Sequence, residues 1–424
     1  MERYHEYKDS GEKWLGEIPS HWEVKRIKYI FREVDKRNTQ LKYRLLSFSK
    51  NKGIVPFSSL KDKRQSSEGL EDYKVIHKGQ LLENRMQAWH GMFAKSAIDG
   101  CVSPDYSVFQ KINPLDDVEY FAKLFRDPLM IQQFAIASKG MGDGFNRLYT
   151  PQFGSIYTIY PPFQEQTAMV AYLDRVTAQI DKAIAQQQRM IDLLNERKQI
   201  IIQHAVTKGL DPNAEMVDSG VEWIGEMPKG WKIIPMKYVI SFINGYAFDS
   251  NIFKKDGEVP VIRIGNLTQD GINYDDIVYV NSNTKLDKVR TVKGDLLIAM
   301  SGATTGKVCI DNIGGLYVNQ RVGVIRSKYI NFIRYWLQSD NFKVYIYINA
   351  IGSAQPNISS DQICNFKIAF PINQKDIDSM CVKLSYIDRH ISSIIAKYNK
   401  RISLLRERKQ IIINEVITGK VKVS

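Results

Sequence analysis

The sequence predicts a mixed α/β fold with a pseudo-two-fold internal repeat, in which two variable domains are joined by two long antiparallel coiled-coil helices. Two observations carry this prediction. Two blocks of sequence recur in the same order in both halves of the 424-residue chain. In addition, residues 165–207 and 375–418 contain no glycine or proline, as expected of long uninterrupted helices.

The repeated blocks define the frame of the chain. Residues 9–19 recur as residues 218–228, at an offset of 209. Residues 193–202 recur as residues 404–413, at an offset of 211. Because both matches keep the same order, duplication explains them and chance does not. The segments between the blocks have diverged, which predicts one architecture with two different contact surfaces.

The diverged segments favour short strands, turns and short helices. Residues 259–264 and 295–300 are apolar or alternating runs between turn signals, which predicts strands. Short helices are predicted at residues 118–126, 129–138 and 329–339. Each diverged segment is therefore predicted to be a mixed α/β domain rich in loops.

The two long segments carry heptad patterns, in which apolar residues recur every seven positions and Gln187 is a polar interruption. The pattern predicts that the two helices pack on one another, with a compact bundle as the alternative. At about 1.5 Å per residue each helix is about 65 Å long, enough to serve two DNA half-sites a turn or more apart. The recurring residues are Leu173, Ile180, Leu194 and Ile201 in the first segment and Ile377, Leu384, Ile391, Tyr398, Leu405 and Ile412 in the second.

Charge and composition favour a nucleic-acid partner. The formal net charge is +13, and residues 25–64 hold thirteen Lys or Arg against three acids. Such a surplus suits a polyanion, although charge alone fits a merely basic soluble protein equally well. Four scattered cysteines without metal-site spacing, and the lack of a signal peptide, predict a cytoplasmic protein. No apolar run is long enough to span a membrane.

Three motifs resemble parts of enzymes, but each departs from the required pattern. Residues 160–163 resemble the Pro-Pro motif of amino-methylating enzymes, yet Tyr160 is the wrong residue to accept a hydrogen bond from the target amine. Residues 140–144 are glycine-rich but follow an apparent helix, whereas a nucleotide loop follows a strand. Residues 301–307 resemble a phosphate loop with one residue too few and with Val308 in place of Ser or Thr. No catalytic, metal or cofactor site is therefore predicted.

The chain resembles the specificity (S) subunit of type I restriction–modification systems over nearly its whole length. The clearest motifs are Trp14-Leu15-Gly16-Glu17-Ile18-Pro19 with Trp22, and the copy Trp223-Ile224-Gly225-Glu226-Met227-Pro228 with Trp231. Further motifs are Gly294-Asp295-Leu296-Leu297, Val318-Asn319-Gln320-Arg321, Gln355-Pro356-Asn357-Ile358-Ser359, and Pro161-Pro162 with Glu165-Gln166. The first half departs from the pattern, with Asn146-Arg147-Leu148 near the place of Gln355-Pro356-Asn357.

The resemblance implies a DNA-recognition subunit with no catalysis of its own. Each of two target-recognition domains would read one half of a split, asymmetric site in double-stranded DNA. The helices would fix the gap and dock two methyltransferase (M) subunits. Those partners would carry S-adenosylmethionine and methylate adenine, so no cofactor is expected on this chain. Whether a restriction (R) subunit with ATP-driven translocation also joins the complex is left open.

The repeat and the resemblance together set the predicted domain boundaries. They are an N-terminal lead-in at 1–20, the first target-recognition domain at 21–162, a central long helix at 163–208, a linker with the repeated lead-in at 209–228, the second target-recognition domain at 229–371, and a distal long helix with tail at 372–424.

Loop residues with forked donors or amides are the candidates for DNA contact, because Arg pairs with guanine and Asn or Gln with adenine. We expect about one in three to touch DNA, with the others serving in structural turns or solvated loops. The candidates are Asn84, Arg85, Gln87, Trp89, Lys139 and Arg147 in the first domain and Tyr246, Ser301, Thr304, Thr305, Lys307, Asn319, Arg321 and Gln355 in the second.

Two alternatives share parts of this evidence. A stand-alone bipartite DNA-binding or architectural protein would also be basic and carry paired helices, but it would bind DNA tightly without a methyltransferase. A self-contained methyltransferase would require this chain alone to bind the methyl donor.

Overall fold

The computed structural model describes residues 2–49, 52–60, 69–140, 146–268, 271–349 and 356–423. These residues form mixed α/β structure, which confirms the predicted fold class. The chain divides into two compact units, one comprising residues 1–186 and 401–424 and the other residues 187–400. Each long helix therefore contributes residues to both units.

The first unit contains a lead-in hairpin, the first variable domain and the start of a long helix. In chain order its elements are β1 (Tyr7–Asp9), β2 (Glu17–Pro19), β3 (Glu23–Arg26), β4 (Phe31–Glu33), β5 (Leu46–Ser49), β6 (Gly53–Pro56), β7 (Lys74–Ile76), β8 (Leu81–Asn84), β9 (Phe93–Lys95), β10 (Gly100–Val102), β11 (Tyr106–Lys111), α1 (Val118–Leu124), α2 (Pro128–Ala137), β12 (Lys139–Gly140), β13 (Asn146–Arg147), α3 (Thr150–Ser155), β14 (Tyr157–Tyr160) and α4 (Phe163–Lys208).

The second unit repeats the lead-in hairpin, the four-stranded sheet and the closing strand, and differs in the elements between them. Its elements are β15 (Met216–Asp218), β16 (Glu226–Pro228), β17 (Trp231–Pro235), β18 (Ser241–Asn244), β19 (Val259–Ile262), β20 (Val278–Val280), β21 (Leu296–Ala299), β22 (Val308–Ile310), β23 (Tyr317–Val318), β24 (Val322–Arg326), α5 (Ile330–Gln338), α6 (Asp340–Asn349), α7 (Ser360–Asn365), β25 (Lys367–Pro371) and α8 (Gln374–Ile417). The predicted strands at 259–264 and 295–300 and the predicted short helices are confirmed, with ends that differ by one to two residues.

The two variable domains share one sheet topology. In the first, a four-stranded antiparallel sheet has the order β4-β11-β8-β9, and in the second the order is β18-β24-β21-β22. In each domain the first strand pairs with the last, as β3 with β14 and β17 with β25. This pairing closes each domain at the point where its long helix begins.

The lead-in hairpins are copies down to single hydrogen bonds. Asp9 pairs with Glu17 across the first hairpin, and Asp218 pairs with Glu226 across the second. The carboxylate Oδ1 of Asp9 accepts from the backbone of residue 11 at 2.9 Å, and that of Asp218 accepts from residue 220 at 3.0 Å. The glycines at 16 and 225 both have φ in the left-handed region, at 66° and 67°. Such turns keep glycine because a Cβ atom is disfavoured there.

The long helices pair in each unit by burying the predicted seam. In the first unit Ile180 of α4 and Ile412 of α8 lie in one apolar cluster, beside the ion pair of Lys409 Nζ with Asp181 Oδ2 at 2.7 Å. In the second unit Ile202 of α4 shares a cluster with Leu384 of α8. The start of α4 thus meets the end of α8, and the end of α4 meets the start of α8. This is the predicted antiparallel pairing.

Each helix also ends against a lead-in tryptophan. Gly209 follows α4, and a Cβ atom there would lie 3.2 Å from the ring of Trp231. Gly419 follows α8, and a Cβ atom there would lie 2.6 Å from the ring of Trp22. Both glycines have φ of 75°, so this is a helix C-terminus where only glycine is unstrained. Each unit is therefore built from one lead-in, one variable domain and one end of each helix.

No helix in the described parts of the chain is both long and apolar enough to cross a lipid bilayer.

Candidate nucleic-acid interface

A tight turn after β8 presents four of the candidate residues of the first domain. The backbone N–H of Gln87 donates to the carbonyl of Asn84 at 2.9 Å, and the side-chain Oδ1 of Asn84 accepts from Met86 at 3.1 Å. Trp89 is half-buried, and its indole N–H donates to the carbonyl of Met86 at 2.9 Å. Gln87 is exposed. Asn84 and Trp89 thus shape the turn, whereas the exposed Gln87 amide accepts one long hydrogen bond, from Asn84 Nδ2 to Gln87 Oε1 at 3.5 Å.

The guanidinium group of Arg85 binds two residues of the same domain. Its Nη2 binds Glu33 Oε1 at 2.9 Å, and its Nε donates to Ser107 Oγ at 2.6 Å. Glu33 in turn accepts from Thr150 Oγ1 at 2.6 Å and from Lys74 Nζ at 3.2 Å. We call Glu33, Lys74, Arg85, Ser107 and Thr150 the Arg85 hub. It joins β4, β7, β8, β11 and α3.

Burial and charge act in opposite directions on the two carboxyl groups near Arg85. Partial burial alone would raise the pKa of Glu33, but the Thr150 hydrogen bond and the charges of Lys74 and Arg85 hold it below its ordinary value. Complete burial raises the pKa of Glu83 to about 8. Neither carboxylate oxygen of Glu83 has a hydrogen-bond partner among the described residues. Glu83 is therefore mostly protonated at neutral pH, while Glu33 is charged.

Lys139 and Arg147 lie opposite each other in a short hairpin. They pair directly in the two-residue ladder of β12 and β13. The backbone N–H of Leu148 donates to the carbonyl of Arg85 at 3.1 Å, which ties this hairpin to the turn after β8. The structure therefore brings all six candidates of the first domain to one end of its sheet, beyond the C-terminal end of β8. Of the glycine-rich segment 140–144, residues 141–144 lie outside the described residues.

In the second domain the equivalent loop follows β21 and contains the short 3-10 helix Gly302–Thr304. Ser301 pairs with Asn357 in an isolated bridge. Thr305 Oγ1 donates to the carbonyl of Pro356 at 3.0 Å, and Lys307 N–H donates to the carbonyl of Thr304 at 2.9 Å. The loop joins two strands of a hairpin and opens no long helix, so it differs from a phosphate-binding loop.

The remaining described candidates of the second domain lie beside the loop that follows β21. The backbone N–H of Met300 donates to the carbonyl of Arg321 at 2.9 Å, which places exposed Arg321 beside the loop after β21. Tyr246 pairs with Asn319 in a parallel bridge and is 46% exposed. A Cβ atom at Gly245 would lie 2.1 Å from the carbonyl oxygen of Asn319, so this close approach requires glycine. Gln355 lies outside the described residues.

The Pro-Pro motif of residues 160–163 leads directly into helix α4. Tyr160 ends β14, and its hydroxyl donates to Asp116 Oδ1 at 2.6 Å. The carbonyl of Pro162 accepts from the backbone of Glu165 at 2.9 Å within the first turn of α4. In the portion of the chain that the structure describes, no group of three or more His, Cys, Asp or Glu side chains is placed to hold a metal ion.

No local sequence signal marks the Arg85 hub. Segment 25–64 holds thirteen basic residues and three acids, and Glu33 is one of the three acids. From the sequence alone, Glu33 only lowers the net positive charge of this segment. Its partners Arg85 and Thr150 are 52 and 117 residues away in sequence. Such a contact is set by strand pairing, which no short motif encodes.

Comparison with known proteins identifies the architecture. Residues 228–414 match the family model described as the type I restriction modification DNA specificity domain. The type I restriction enzyme MjaVIII specificity subunit of Methanocaldococcus jannaschii is 24% identical, over 96% of this chain and 94% of its own. The chain is therefore similar to type I specificity subunits over nearly its whole length. Its predicted standing as a specificity subunit, and not an enzyme, is thereby confirmed.

Other type I specificity subunits match shorter stretches of the chain. The type I restriction enzyme EcoKI specificity subunit of Escherichia coli (strain K12) is 24% identical, over 46% of this chain and 44% of its own.

Solved structures of type I specificity subunits show the same fold. The HsdS subunit from Thermoanaerobacter tengcongensis superposes with a TM-score of 0.52 and 14% identity, over 97% of this chain and 100% of its own. A chain from a structure on complex assembly and conformational transition of the type I R-M system superposes with a TM-score of 0.70 and 14% identity, over 95% of this chain and 99% of its own. At this identity the likeness concerns the fold.

Proposed function

We propose that this chain recognises a split, asymmetric sequence in double-stranded DNA through its two variable domains. The observation that carries the proposal is that both domains keep one sheet order and present different loops at the equivalent end of the sheet. β8 and β21 hold the same place in their sheets, and candidate residues follow each of them. A shared frame with different loops suits two half-sites of different sequence.

The proposed target-recognition domains are residues 21–162 and 229–371. The lead-ins at 1–20 and 209–228 and the helices at 163–208 and 372–424 form the frame that carries them. The closing strand pairs β3 with β14 and β17 with β25 support these boundaries, because each joins the ends of one domain.

Exposure separates the proposed contacts with DNA from the residues that position them. Gln87, Lys139 and Arg321 are exposed, and their amide or cationic groups suit base edges and phosphates. The side chains of Arg85, Asn84 and Thr305 form hydrogen bonds within the protein. The first group contacts DNA in this proposal, and the second shapes the loops.

The proposed partners are two methyltransferase subunits that dock on the helices, supply S-adenosylmethionine and methylate adenine. A restriction subunit is a further partner if the system also cleaves DNA. Similarity to specificity subunits of type I restriction enzymes supports this division of labour.

The direct test is to coexpress the full chain with the methyltransferase subunit of its own system and to map methylated adenines across the host genome. We expect one bipartite motif with a fixed gap. Specific binding by the isolated chain, with no methyltransferase in the complex on gel filtration, would favour a stand-alone DNA-binding protein. Binding of the methyl donor to the isolated chain in calorimetry would support a self-contained methyltransferase.

A further inference from the structure

One short helix in each variable domain occupies the same place in the fold. In the first domain this helix is α2 and in the second it is α6, and each follows directly on another short helix. Their buried residues correspond at one offset, since Met130 matches Phe342 and Phe134 matches Ile346, both 212 positions apart. The two helices are therefore equivalent members of the repeated frame.

Each of these helices packs closely on a loop that carries candidate DNA-binding residues. A Cβ atom at Gly306, in the loop after β21, would overlap the side chain of Ile346 on α6. In the first domain, a Cβ atom at Gly91, in the turn after β8, would lie 2.8 Å from the side chain of Ile131 on α2. Both approaches require glycine, so each helix holds a fixed position beside its loop.

The side of α6 that faces away from the domain core presents three apolar side chains to solvent. Val344, Tyr347 and Ile348 are 50%, 73% and 59% exposed. Spacings of three and four residues place them together on one side of the helix. We call these three residues the α6 face.

The fold of the second domain does not account for the α6 face. Valine, tyrosine and isoleucine have lower helix propensity than lysine, glutamine or glutamate, which commonly occupy exposed helix positions. An apolar side chain that stays in water also gains little of the free energy that burial would supply. A contact with another molecule would supply that burial.

The outward faces of α2 and α6 have diverged, whereas their buried faces have both stayed apolar. The residues of α2 that correspond to the α6 face are Gln132, Ala135 and Ile136, and all three are exposed. A protein partner that binds both domains alike would favour the same outward face in both copies. Two DNA half-sites of different sequence instead call for different faces on one frame. The divergence therefore favours DNA as the molecule that covers the α6 face.

The chemistry of the α6 face suits the major groove at A·T base pairs. The major groove of B-DNA is about 12 Å wide and admits an α-helix. Thymine presents its C5-methyl group there, and apolar side chains recognise that group by direct contact. Charge does not oppose this approach, because Asp340, the acidic residue of α6, is paired with Lys343 Nζ at 2.8 Å.

We infer that α6 lies in the major groove of the second half-site, where Val344, Tyr347 and Ile348 read thymine through its C5-methyl group. This inference rests on the proposed function and adds apolar readout by a helix to the hydrogen-bonding candidates in the loops. The close packing of Ile346 on Gly306 holds the helix in place, so that the helix and the loop after β21 contact the same half-site together.

The test uses the full chain purified with the methyltransferase subunit of its own system, and duplexes that carry the mapped target. Each thymine of the second half-site is replaced in turn by deoxyuridine, which lacks only the C5-methyl group. We expect kcat/KM for adenine methylation to fall about fourfold at one or more of these positions, the effect of burying one methyl group.

The variant Val344→Ser with Tyr347→Ser and Ile348→Ser removes the apolar contact. We expect this triple variant to methylate thymine and deoxyuridine duplexes at equal rates, because it has lost the groups that distinguish them. All three substitutions are at solvent-facing positions, so the melting temperature of the complex stays within a few degrees of the wild-type value.

The matched control is Val292→Ser with Ile313→Ser. These residues are 53% and 63% exposed in the same domain. They lie at the end of the β21–β22 pair opposite to the loop on which α6 packs. The control variant keeps the wild-type preference for thymine over deoxyuridine.

A folded triple variant that still prefers thymine would overturn the inference and leave the proposed function standing. So would a wild-type complex that shows no such preference at any position of the second half-site. A wild-type complex that methylates no bipartite site would overturn the proposed function itself. If native mass spectrometry shows that the triple variant loses the methyltransferase subunit, a protein covers the α6 face and the inference is wrong.

Discussion

Arg85 has the forked donors that suit guanine, but in the folded chain those donors bind Glu33 and Ser107. Its carbonyl accepts from Leu148, so the residue links the turn after β8 to the hairpin of Lys139 and Arg147. The geometry therefore favours positioning over base contact for Arg85.

Substitution of Arg85 by lysine tests this role. Lysine keeps the charge but cannot form the hydrogen bonds to Glu33 and Ser107 at the same time. We therefore expect the first unit to lose about 1–3 kcal/mol of stability. Thermal unfolding measures the loss, and adenine mapping should show weaker methylation at every site. A residue that only reads one base would instead relax one position of the motif at unchanged stability. Arg147→Lys is the control, because Arg147 makes one longer contact, to Asp105 at 3.5 Å.

Glu83 makes the stability of the first unit depend on pH. Burial raises its pKa from the ordinary 4.5 to about 8, so the folded state holds a proton that the unfolded state releases. The resulting stability is fully present below pH 4.5 and is lost as the pH rises through about 8. We expect Glu83→Gln to abolish the fall in melting temperature of the first unit between pH 6 and 9. An unchanged slope in this variant would show that Glu83 does not titrate in that range.

The variant Glu33→Gln is a control, because the contribution of Glu33 to stability changes with pH in the opposite direction to that of Glu83. Because the pKa of Glu33 is lowered, its contribution is present at neutral pH and lost on acidification. The glutamine variant should therefore be less stable than the wild type at pH 7 and should approach it in acid.

At the level of single residues, the sequence predicted the positions of the loops well. It predicted the role of each side chain less well. The six candidates of the first domain do meet at one end of its sheet, because all follow or precede strands of the same domain. Which of them faces solvent depends on partners such as Glu33 and Thr150, which lie far away in sequence.

The long helices were the most predictable elements. Their heptads and their long runs without glycine or proline are local signals, and tertiary packing here reinforces them. The ends of α4 and α8 fall within two residues of the predicted segments. Helix α6 was missed, because its residues Asp340–Asn349 include β-branched and aromatic side chains that give no helical signal in isolation.

A heptad insertion tests whether the helices set the gap between half-sites. One heptad is added to α4 between Gln179 and Gln188, and a matching heptad is added to α8 between Tyr398 and Arg401, so that the seam stays in register. We expect adenine mapping to show the same two half-sites with a changed gap. A four-residue insertion at the same places breaks the seam and should reduce the melting temperature. An unchanged gap in the heptad variant would contradict the role of the helices as a ruler.

The whole molecule is a duplicated frame whose two copies differ where their loops meet at one end of the sheet. The lead-ins Asp9–Glu17 and Asp218–Glu226 match bond for bond, and the four-stranded sheets match strand for strand. Self-comparison of the sequence revealed the frame because its turns and helix ends demand particular residues, above all glycine and tryptophan. It could not reveal the DNA target, because base contacts depend on the loops, and the loops are where the copies diverged.

The central claim is that each domain reads its own half of one target. The most direct measurement is adenine mapping with the full complex, carrying Gln87→Ala with Lys139→Ala in the first domain or Arg321→Ala in the second. We expect the first-domain variant to relax bases on one side of the gap only, and the second-domain variant to relax bases on the other side only. Relaxation of both half-sites by either variant, or of neither half-site by both, would contradict it.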